Sequence, residues 1–239
     1  MHILDLTLPS PEQNLACDEA LLDACEDGDA HEVLRFWEPR THFVVLRYSS
    51  RISSDAKLVA CRKAGVPILR RVSGGGTVLQ GPGCLNVTLI LRAEARETLA
   101  TITGTTAFIL ERHRRALEPV VGGPVERRGL SDLAIGGVKF SGNAQRRKRG
   151  GVLFHGTFLL DLDLRLVDRL LTIPSRQPDY RRNRPHREFL MNLGLPSETV
   201  KRALALAWKA KVPLKTVPME RIAQLAAETY SSKAWIRRL

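Results

Sequence analysis

The sequence lacks the features that would place it in a membrane, outside the cell or around a structural metal. It has no run of about 18 apolar residues, so no membrane-spanning helix is predicted. Its first residues show no basic segment followed by an apolar one, and we expect a cytoplasmic protein. The cysteines stand apart without any C-x-x-C pair, which argues against zinc and is typical of reduced thiols. They are Cys17, Cys25, Cys61 and Cys84.

Aromatic residues are scarce as well, whereas positive charge is abundant. Phe, Trp and Tyr make up 5% of the 239 residues, few for the stacking surfaces that bind single-stranded nucleic acids. Lys and Arg number 37 against 25 Asp and Glu, a net charge of +12. This excess indicates a polyanionic partner, such as a nucleic acid, an anionic membrane, a nucleotide or an acidic protein, or else a solvated basic surface.

The order of elements predicts an α/β (α+β) fold, with a mixed, mostly antiparallel sheet built from hairpins and with helices flanking it. Ser10 and Gln13 form a capping box, which predicts a helix that ends near Gly28. Residues 33–46 are predicted as two strands around a turn, and residues 132–140 as a hairpin with a Gly-Gly turn.

A long helix is predicted over residues 93–117, although Gly104 weakens it. We expect residues 1–195 to form one domain around the sheet. Residues 196–239 are predicted to be a short helical extension, because so few residues cannot bury a core of their own.

A glycine-rich loop after an apolar strand is suited to hold an anion. Three successive glycines remove every Cβ, so the backbone can approach a ligand and turn N–H groups towards it. Two arginines and a serine add further donors. The spacing matches neither a P-loop nor a G-x-G-x-x-G motif, and a flexible turn is the alternative. The loop residues are Arg70, Arg71, Val72, Ser73, Gly74, Gly75, Gly76 and Thr77.

A second candidate lies on the strand around Lys139. Alternation predicts Lys139 and Ser141 on one face, where an ammonium can reach a phosphate or carboxylate oxygen. A solvent-facing lysine on an edge strand is the alternative. The next strand ends in His155, Gly156 and Thr157. A lone histidine is more often structural, and no Ser or Cys with a positioned acid is identified to complete a triad with it.

In order and spacing, these segments resemble the lipoate–protein ligase family, within the wider fold group of biotin and lipoate ligases and octanoyltransferases. The resemblance covers residues 10 to about 195 and implies that residues 1–195 are a catalytic domain of that fold. The matching strings are Arg70-Arg71-x-Ser73-Gly74-Gly75-Gly76-Thr77, Gly83-x-x-Asn86-x-Thr88, Asp132-Leu133, Lys139-x-Ser141-Gly142-Asn143-Ala144-Gln145 and His155-Gly156-Thr157-x-Leu159-Leu160, after Asn14-Leu15-Ala16-x-Asp18-Glu19-Ala20-Leu21-Leu22 and Leu34-Arg35-Phe36-Trp37.

The resemblance implies an enzyme that activates lipoate with ATP as lipoyl-AMP and transfers the lipoyl group to a lysine of an acidic lipoyl domain. Mg²⁺ would accompany the triphosphate. Lys139 is the implied catalytic residue, because cations must neutralise two anions that are brought together. No residue is expected to ligate a metal. The implied site for lipoate, ATP and lipoyl-AMP comprises Arg70, Arg71, Ser73, Gly74, Gly75, Gly76, Thr77, Asn86, Asp132, Lys139, Ser141, Gly142, Ala144, His155, Gly156 and Thr157.

Three features depart from that family. Gln80 stands where many ligases carry a histidine. Residues 196–239 are too short for the accessory domain of larger ligases, which implies a separate accessory subunit, weak adenylation by the chain alone or another way of closing the site. No cysteine stands where related octanoyltransferases use one; Ser131 and Ser175 lie in those regions. The ligase is therefore expected, with an octanoyl or lipoyl transferase that uses a preformed acyl donor as the alternative, and a nucleic-acid-binding or regulatory module as the third.

Two basic segments, residues 146–149 and 181–187, remain. A basic rim would steer an acidic lipoyl domain during docking, whereas a solvated surface is the alternative for the first segment. The second segment is expected beside the acyl-adenylate site, in contact with the acceptor domain or with pyrophosphate.

Overall fold

The computed structural model describes residues 1–26 and 31–239, apart from the side chain of Glu26. The helix end predicted near Gly28 lies outside the described residues. None of the helices in these two ranges combines the length and apolar character needed to cross a bilayer.

The described strands form a large mixed sheet and a small one. The large sheet has the order β11-β1-β2-β6-β10-β9-β8-β7 and the small one the order β4-β3-β5. From β2 to β7 every pairing in the large sheet is antiparallel, and β1 is parallel to both of its neighbours. The mixed, mostly antiparallel sheet is therefore confirmed. The strands are β1 His2–Asp5, β2 Val33–Trp37, β3 Phe43–Leu46, β4 Ile68–Arg70, β5 Val78–Gln80, β6 Cys84–Arg92, β7 Glu126–Arg128, β8 Asp132–Ile135, β9 Val138–Arg147, β10 Gly151–Leu159 and β11 Val212–Pro213.

Helices flank the sheets, as predicted. Gln13 N donates to Ser10 Oγ and Ser10 N to Gln13 Oε1, both at 3.2 Å, which confirms the capping box of α1. The long helix starts later than predicted, because Thr101 caps it by accepting from the N–H of Gly104 (3.0 Å). The helices are α1 Pro11–Glu26, α2 Ile52–Asp55, α3 Leu58–Lys63, α4 Ile102–Val121, α5 Leu164–Leu170, α6 His186–Phe189, α7 Ser197–Ala207, α8 Met219–Leu225 and α9 Lys233–Ile236.

The two strands predicted within residues 33–46 both exist, but they do not pair with each other. β2 pairs with β1 and β6 in the large sheet, whereas β3 pairs with β4 and β5 in the small one. Both strands are wholly buried. Two buried strands in sequence can belong to different sheets, and sequence proximity does not decide which.

The two faces of the large sheet differ, because side chains alternate along each strand. On one face Phe154 and Phe158 of β10 pack in an apolar cluster with residues of α4 and α7. On the other face His155 lies between Thr88 of β6 and Ala144 of β9 in register. Helix α1 packs over this second face, which carries the candidate site.

The chain after residue 195 packs onto the same core. Helix α7 lies against α4, α8 lies against α1, and β11 extends the large sheet beside β1. Near the C-terminus Trp235 donates its indole N–H to the carbonyl oxygen of Arg70 at 2.9 Å. The helical extension expected from the sequence therefore reaches the base of the glycine-rich loop.

Gly83 joins two segments of the fold in a backbone conformation that disfavours side chains. Its φ is +87°, its carbonyl accepts from the N–H of Leu160 and Asp161 (2.8 and 2.9 Å), and a Cβ there would overlap the backbone of Asp161. Gly122, which ends α4 with φ +74°, would place a Cβ at least 4 Å from every described atom outside its own neighbours.

Alanine substitutions at these two glycines are expected to lower the free energy of unfolding by different amounts. We expect Gly122→Ala to cost about 1–2 kcal/mol from the left-handed conformation alone. Gly83→Ala should cost at least about 1 kcal/mol more, because the overlap with Asp161 adds packing strain. Urea unfolding of both variants measures the difference, and equal costs would contradict the close approach at Gly83.

Candidate active site

The glycine-rich loop between β4 and β5 is held from inside by Arg71. The buried guanidinium donates from Nε to Ser73 Oγ (2.9 Å) and from Nη2 to the carbonyl oxygens of Gly74 (2.6 Å) and Gly76 (2.7 Å). Burial, helped by the neighbouring charge of Arg47, lowers the pKa of Arg71 to about 10. The loop N–H groups of residues 74–76 have no acceptor among the described residues, so they are available to an anion.

Lys139 lies on the face of the large sheet that also carries His155. Its Nζ lies 2.7 Å from Asp132 Oδ1 and 2.7 Å from where a Cβ on Gly142 would stand. Tyr180 donates its hydroxyl to the other oxygen of Asp132 (2.7 Å). Burial, together with the Asp132 charge, raises the pKa of Tyr180. Gly142 therefore provides the space that the Lys139 ammonium occupies.

Ser141 does not share a face with Lys139, so that prediction is wrong. The register between β8 and β9 shifts between Leu133 and Ala134, and such a bulge adds a residue that breaks the alternation. Ser141 is buried on the opposite face, where the amide of Asn143 donates to its Oγ (3.3 Å). Lys139 instead shares its face with Gly142, against which its ammonium lies.

His155 belongs to a chain of hydrogen bonds that the sequence analysis did not identify. Its Nε2 lies 2.6 Å from Ser73 Oγ, and its Nδ1 lies 3.2 Å from Asp18 Oδ2. The serine is separated from the histidine by 82 residues and the aspartate by 137. The match of the first helix to the family motif, which includes Asp18, was the only available signal for this contact.

Asp18 is a buried carboxylate held by an equally buried cation. Arg35 Nη1 donates to its Oδ1 at 2.5 Å, and the hydroxyl of Thr88 donates to its Oδ2 at 2.9 Å. Burial by itself would raise the pKa of Asp18, but the charge of Arg35 and the hydrogen bond from His155 outweigh burial and hold the pKa below its usual value. Asp18 is therefore ionised at neutral pH.

Three polar side chains form a closed ring beside this chain. Gln80 donates to Thr157 Oγ1 (2.6 Å), Thr157 donates to Asn86 Oδ1 (2.7 Å), and Asn86 donates back to Gln80 Oε1 (3.0 Å). The structure thus brings together Asn86 and Thr157, which were expected in the site, with Gln80.

Three expected site residues point elsewhere. The buried guanidinium of Arg70 donates to the carbonyl oxygens of Trp235 and Ile236, and to those of Arg47 and Tyr48, at 2.8–3.1 Å. It therefore anchors the C-terminal segment. Thr77 donates to Asp55 (2.7 Å). Gly156 lies under the side chain of Asn143, which a Cβ there would overlap.

The expectation that residues 181–187 form a docking rim is wrong for Arg181 and Arg184. Arg181 is buried, and its Nη2 lies 3.2 Å from His186 Nδ1. Arg184 donates to the carbonyl oxygens of Gly137 (2.8 Å) and Tyr180 (2.9 Å). Arg184 therefore holds its loop against the turn that precedes Lys139, and Arg181 is bound within the loop itself.

A different group of arginines surrounds Tyr48 beside the glycine-rich loop. The guanidinium of Arg238 lies 4.1 Å and that of Arg146 lies 5.6 Å from the centre of its ring. Both arginines are exposed. Arg146 belongs to the first basic segment, so part of that segment lies near the site.

The cysteines offer no activated thiol, and the described residues offer no metal centre. All four thiols are buried, and burial raises the pKa of Cys17 to about 11 and that of Cys84 to about 12. Among residues 1–26 and 31–239, no three His, Cys, Asp or Glu side chains are grouped so that they could hold a metal ion.

Comparison with known proteins identifies the family to which this fold and site belong. Residues 10–203 match the family model described as lipoyl protein ligase A/B catalytic domain. The chain belongs to this family of lipoate ligases and octanoyltransferases, which confirms the resemblance seen in the sequence.

Relatives of both activities are similar to this chain. A protein of Aeropyrum pernix with the provisional name lipoate-protein ligase A is 34% identical over 172 residues, 71% of this chain and 61% of that protein. Octanoyltransferase LipM of Halalkalibacterium halodurans is 25% identical over 94% of each chain. The chain therefore spans less than two thirds of the ligase relative and nearly all of the transferase relative.

Solved structures share the fold. A bi-partite lipoate protein ligase, solved with its lipoyl domain from Thermoplasma acidophilum, superposes with a TM-score of 0.83 at 22% identity and covers all of this chain and 96% of that one. A lipoate-protein ligase A bound with ATP gives the same TM-score and identity, over all of both chains. These matches confirm the predicted fold class.

Proposed function

We propose that the chain is an ATP-dependent ligase that forms lipoyl-AMP and transfers the lipoyl group to a lysine of a lipoyl domain. The observation that carries this proposal is the position of Lys139. Its ammonium lies over Gly142, on the face of β9 that the glycine-rich loop approaches at Ala144. Preorganised donors of this kind stabilise the charge that develops when a carboxylate attacks a phosphate.

The buried cysteines favour the ligase over the transferase. An acyl-enzyme route through cysteine needs a thiolate, and burial keeps Cys17 and Cys84 protonated at neutral pH. The nearly complete overlap with octanoyltransferase LipM nevertheless favours transfer from a preformed octanoyl donor as the second candidate function.

The cofactor and the partners follow from the same proposal. Mg²⁺ would enter with the triphosphate, because Mg²⁺ is often held by substrate phosphates and few protein carboxylates. The acceptor is proposed to be an acidic lipoyl domain, which Arg146 and Arg238 would attract. Residues 1–195 would supply the catalytic domain and residues 196–239 its extension, with an accessory subunit where adenylation requires one. We place the enzyme in the cytoplasm.

Incubation with lipoate, Mg-ATP and an apo lipoyl domain tests the proposal, with intact mass as the measurement. We expect lipoylation that needs both lipoate and ATP. A parallel reaction supplies octanoyl-carrier protein without ATP. If acylation proceeds equally well in that reaction, the ligase is excluded and the transferase is correct. A third reaction supplies synthetic lipoyl-AMP, and transfer only there would indicate that adenylation requires a separate subunit.

A further inference from the structure

The hydrogen-bond chain from Ser73 to Asp18 has only one arrangement of protons when His155 is neutral. Arg71 Nε can only donate, so Ser73 Oγ accepts from it. The ionised carboxylate of Asp18 can only accept, so His155 carries its hydrogen on Nδ1. The free Nε2 of His155 then accepts the hydroxyl hydrogen of Ser73 at 2.6 Å. A hydroxyl, an imidazole and a buried carboxylate therefore form a chain that can accept a proton.

Transfer of an acyl group to a lysine requires such an acceptor. A lysine ammonium has a pKa of about 10.4 and has no lone pair at neutral pH. One proton must leave before the nitrogen can attack the acyl-adenylate. Lys139 is itself cationic and paired with Asp132, so it cannot take that proton.

We propose that Ser73, His155 and Asp18 form the proton relay of the transfer half-reaction. This inference rests on the proposed ligase function. Ser73 accepts a proton from the acceptor ammonium and passes its own to His155 Nε2, and Asp18 is the positioning residue that holds the resulting imidazolium. The amine then forms the C–N bond while the C–O bond between acyl carbon and phosphate breaks. The second N–H proton leaves with the phosphate of AMP.

The placement of the relay relative to Lys139 suits this role. Gly142, against which Lys139 Nζ lies, and Ala144 are two residues apart on one face of β9, a distance of about 7 Å. Ala144 pairs in register with His155, and a Cβ on Gly75 would lie 3.2 Å from the Ala144 Cβ. The Lys139 ammonium and the relay therefore lie on the same face of the sheet, at neighbouring strands.

Charged groups face the relay at both of its ends. On the aspartate side, Arg35 from β2 neutralises only Asp18 Oδ1 (2.5 Å), and Asp18 Oδ2 faces the imidazole. On the serine side, the loop supplies Arg71, whose Nε donates to Ser73 Oγ and orients the hydroxyl. From α1, the neighbouring Cys17 remains a neutral thiol because burial raises its pKa to about 11.

The test separates the two half-reactions in Asp18→Asn and in His155→Gln, which retains hydrogen-bonding groups but no base. Hydroxylamine traps the adenylate without needing a base, so it reports adenylation alone. We expect hydroxamate formation to fall by at most about threefold and lysine transfer from synthetic lipoyl-AMP to fall by roughly 10²-fold. The residual transfer rate should rise about tenfold per pH unit towards the pKa of lysine, about 10.4.

Thr88→Val is the matched control, because it removes a different hydrogen bond to the same oxygen of Asp18. It should leave the ratio of transfer to hydroxamate formation near that of the unaltered chain, and melting curves show whether each variant folds. Equal losses in both half-reactions of Asp18→Asn and His155→Gln, or an unaltered pH profile, would overturn the relay. An unaltered chain that transfers nothing from lipoyl-AMP would overturn the ligase itself, and the relay with it.

Discussion

Lys139→Ala is expected to slow adenylate formation by roughly 10² to 10³-fold, the usual loss when one preorganised charge donor is removed. The ammonium lies 2.7 Å from Asp132 and against Gly142, so alanine leaves that position without a cation. Pyrophosphate release with lipoate and ATP measures the effect. Water can fill the space left by the partly exposed side chain, and we expect stability to change by no more than about 1 kcal/mol.

The exposed Lys211 at the end of the segment after α7 provides the matched control. Lys211→Ala removes the same charge far from the loop in sequence and should release pyrophosphate at the rate of the unaltered chain. Near-normal pyrophosphate release by Lys139→Ala, with an unchanged melting curve, would show that Lys139 has no role in adenylation.

Arg35→Met is expected to destabilise the fold by about 3–5 kcal/mol, because it leaves the buried carboxylate of Asp18 without its counter-ion. Arg35 is fully buried and also donates to the carbonyl oxygen and the side chain of Asn14 (2.9 and 2.8 Å). Denaturant unfolding at neutral pH measures the loss. Arg96→Met removes a partly exposed pair with Glu32 and should cost at most about 1 kcal/mol.

The same pair predicts how stability depends on pH. The pKa of Asp18 is lowered in the folded chain, so its contribution is complete above the unfolded value of about 3.9 and is lost as the pH falls through the folded value. Without Arg35, burial raises the pKa of Asp18 in the folded chain. The carboxylate then becomes protonated at a higher pH, and the cost of Arg35→Met should shrink as the pH falls. Equal costs for Arg35→Met and Arg96→Met would show that the buried pair does not stabilise the fold.

The strands and the candidate loop were largely predictable because their signals are local. Ser10 and Gln13 predicted the start of α1, because they contact each other three residues apart in the sequence. The run of glycines predicted a loop with open N–H groups, and the position of Lys139 between small residues predicted an ammonium near it. Each of these inferences depends on backbone conformation or spacing within a few residues.

The residues whose positions were predicted wrongly depend on contacts between distant parts of the chain. A bulge opposite Leu133 and Ala134 moves Ser141 to the other face, and alternation alone cannot reveal an inserted residue. Arg70 binds the carbonyl oxygen of Ile236, 166 residues away. The sequence does not distinguish an arginine that binds a ligand from one that binds the C-terminal segment of the same chain.

By itself, the sequence determined the family, the mixed α/β fold, the glycine-rich loop and the lysine beside it, since these depend on short patterns of glycine, small residues and alternation. The tertiary structure decided what each charged group faces. It paired His155 with Asp18 across 137 residues and placed Arg35 under the carboxylate, because packing of α1 against the sheet brings these side chains together. Packing of this kind depends on the whole core and leaves no local pattern in the sequence.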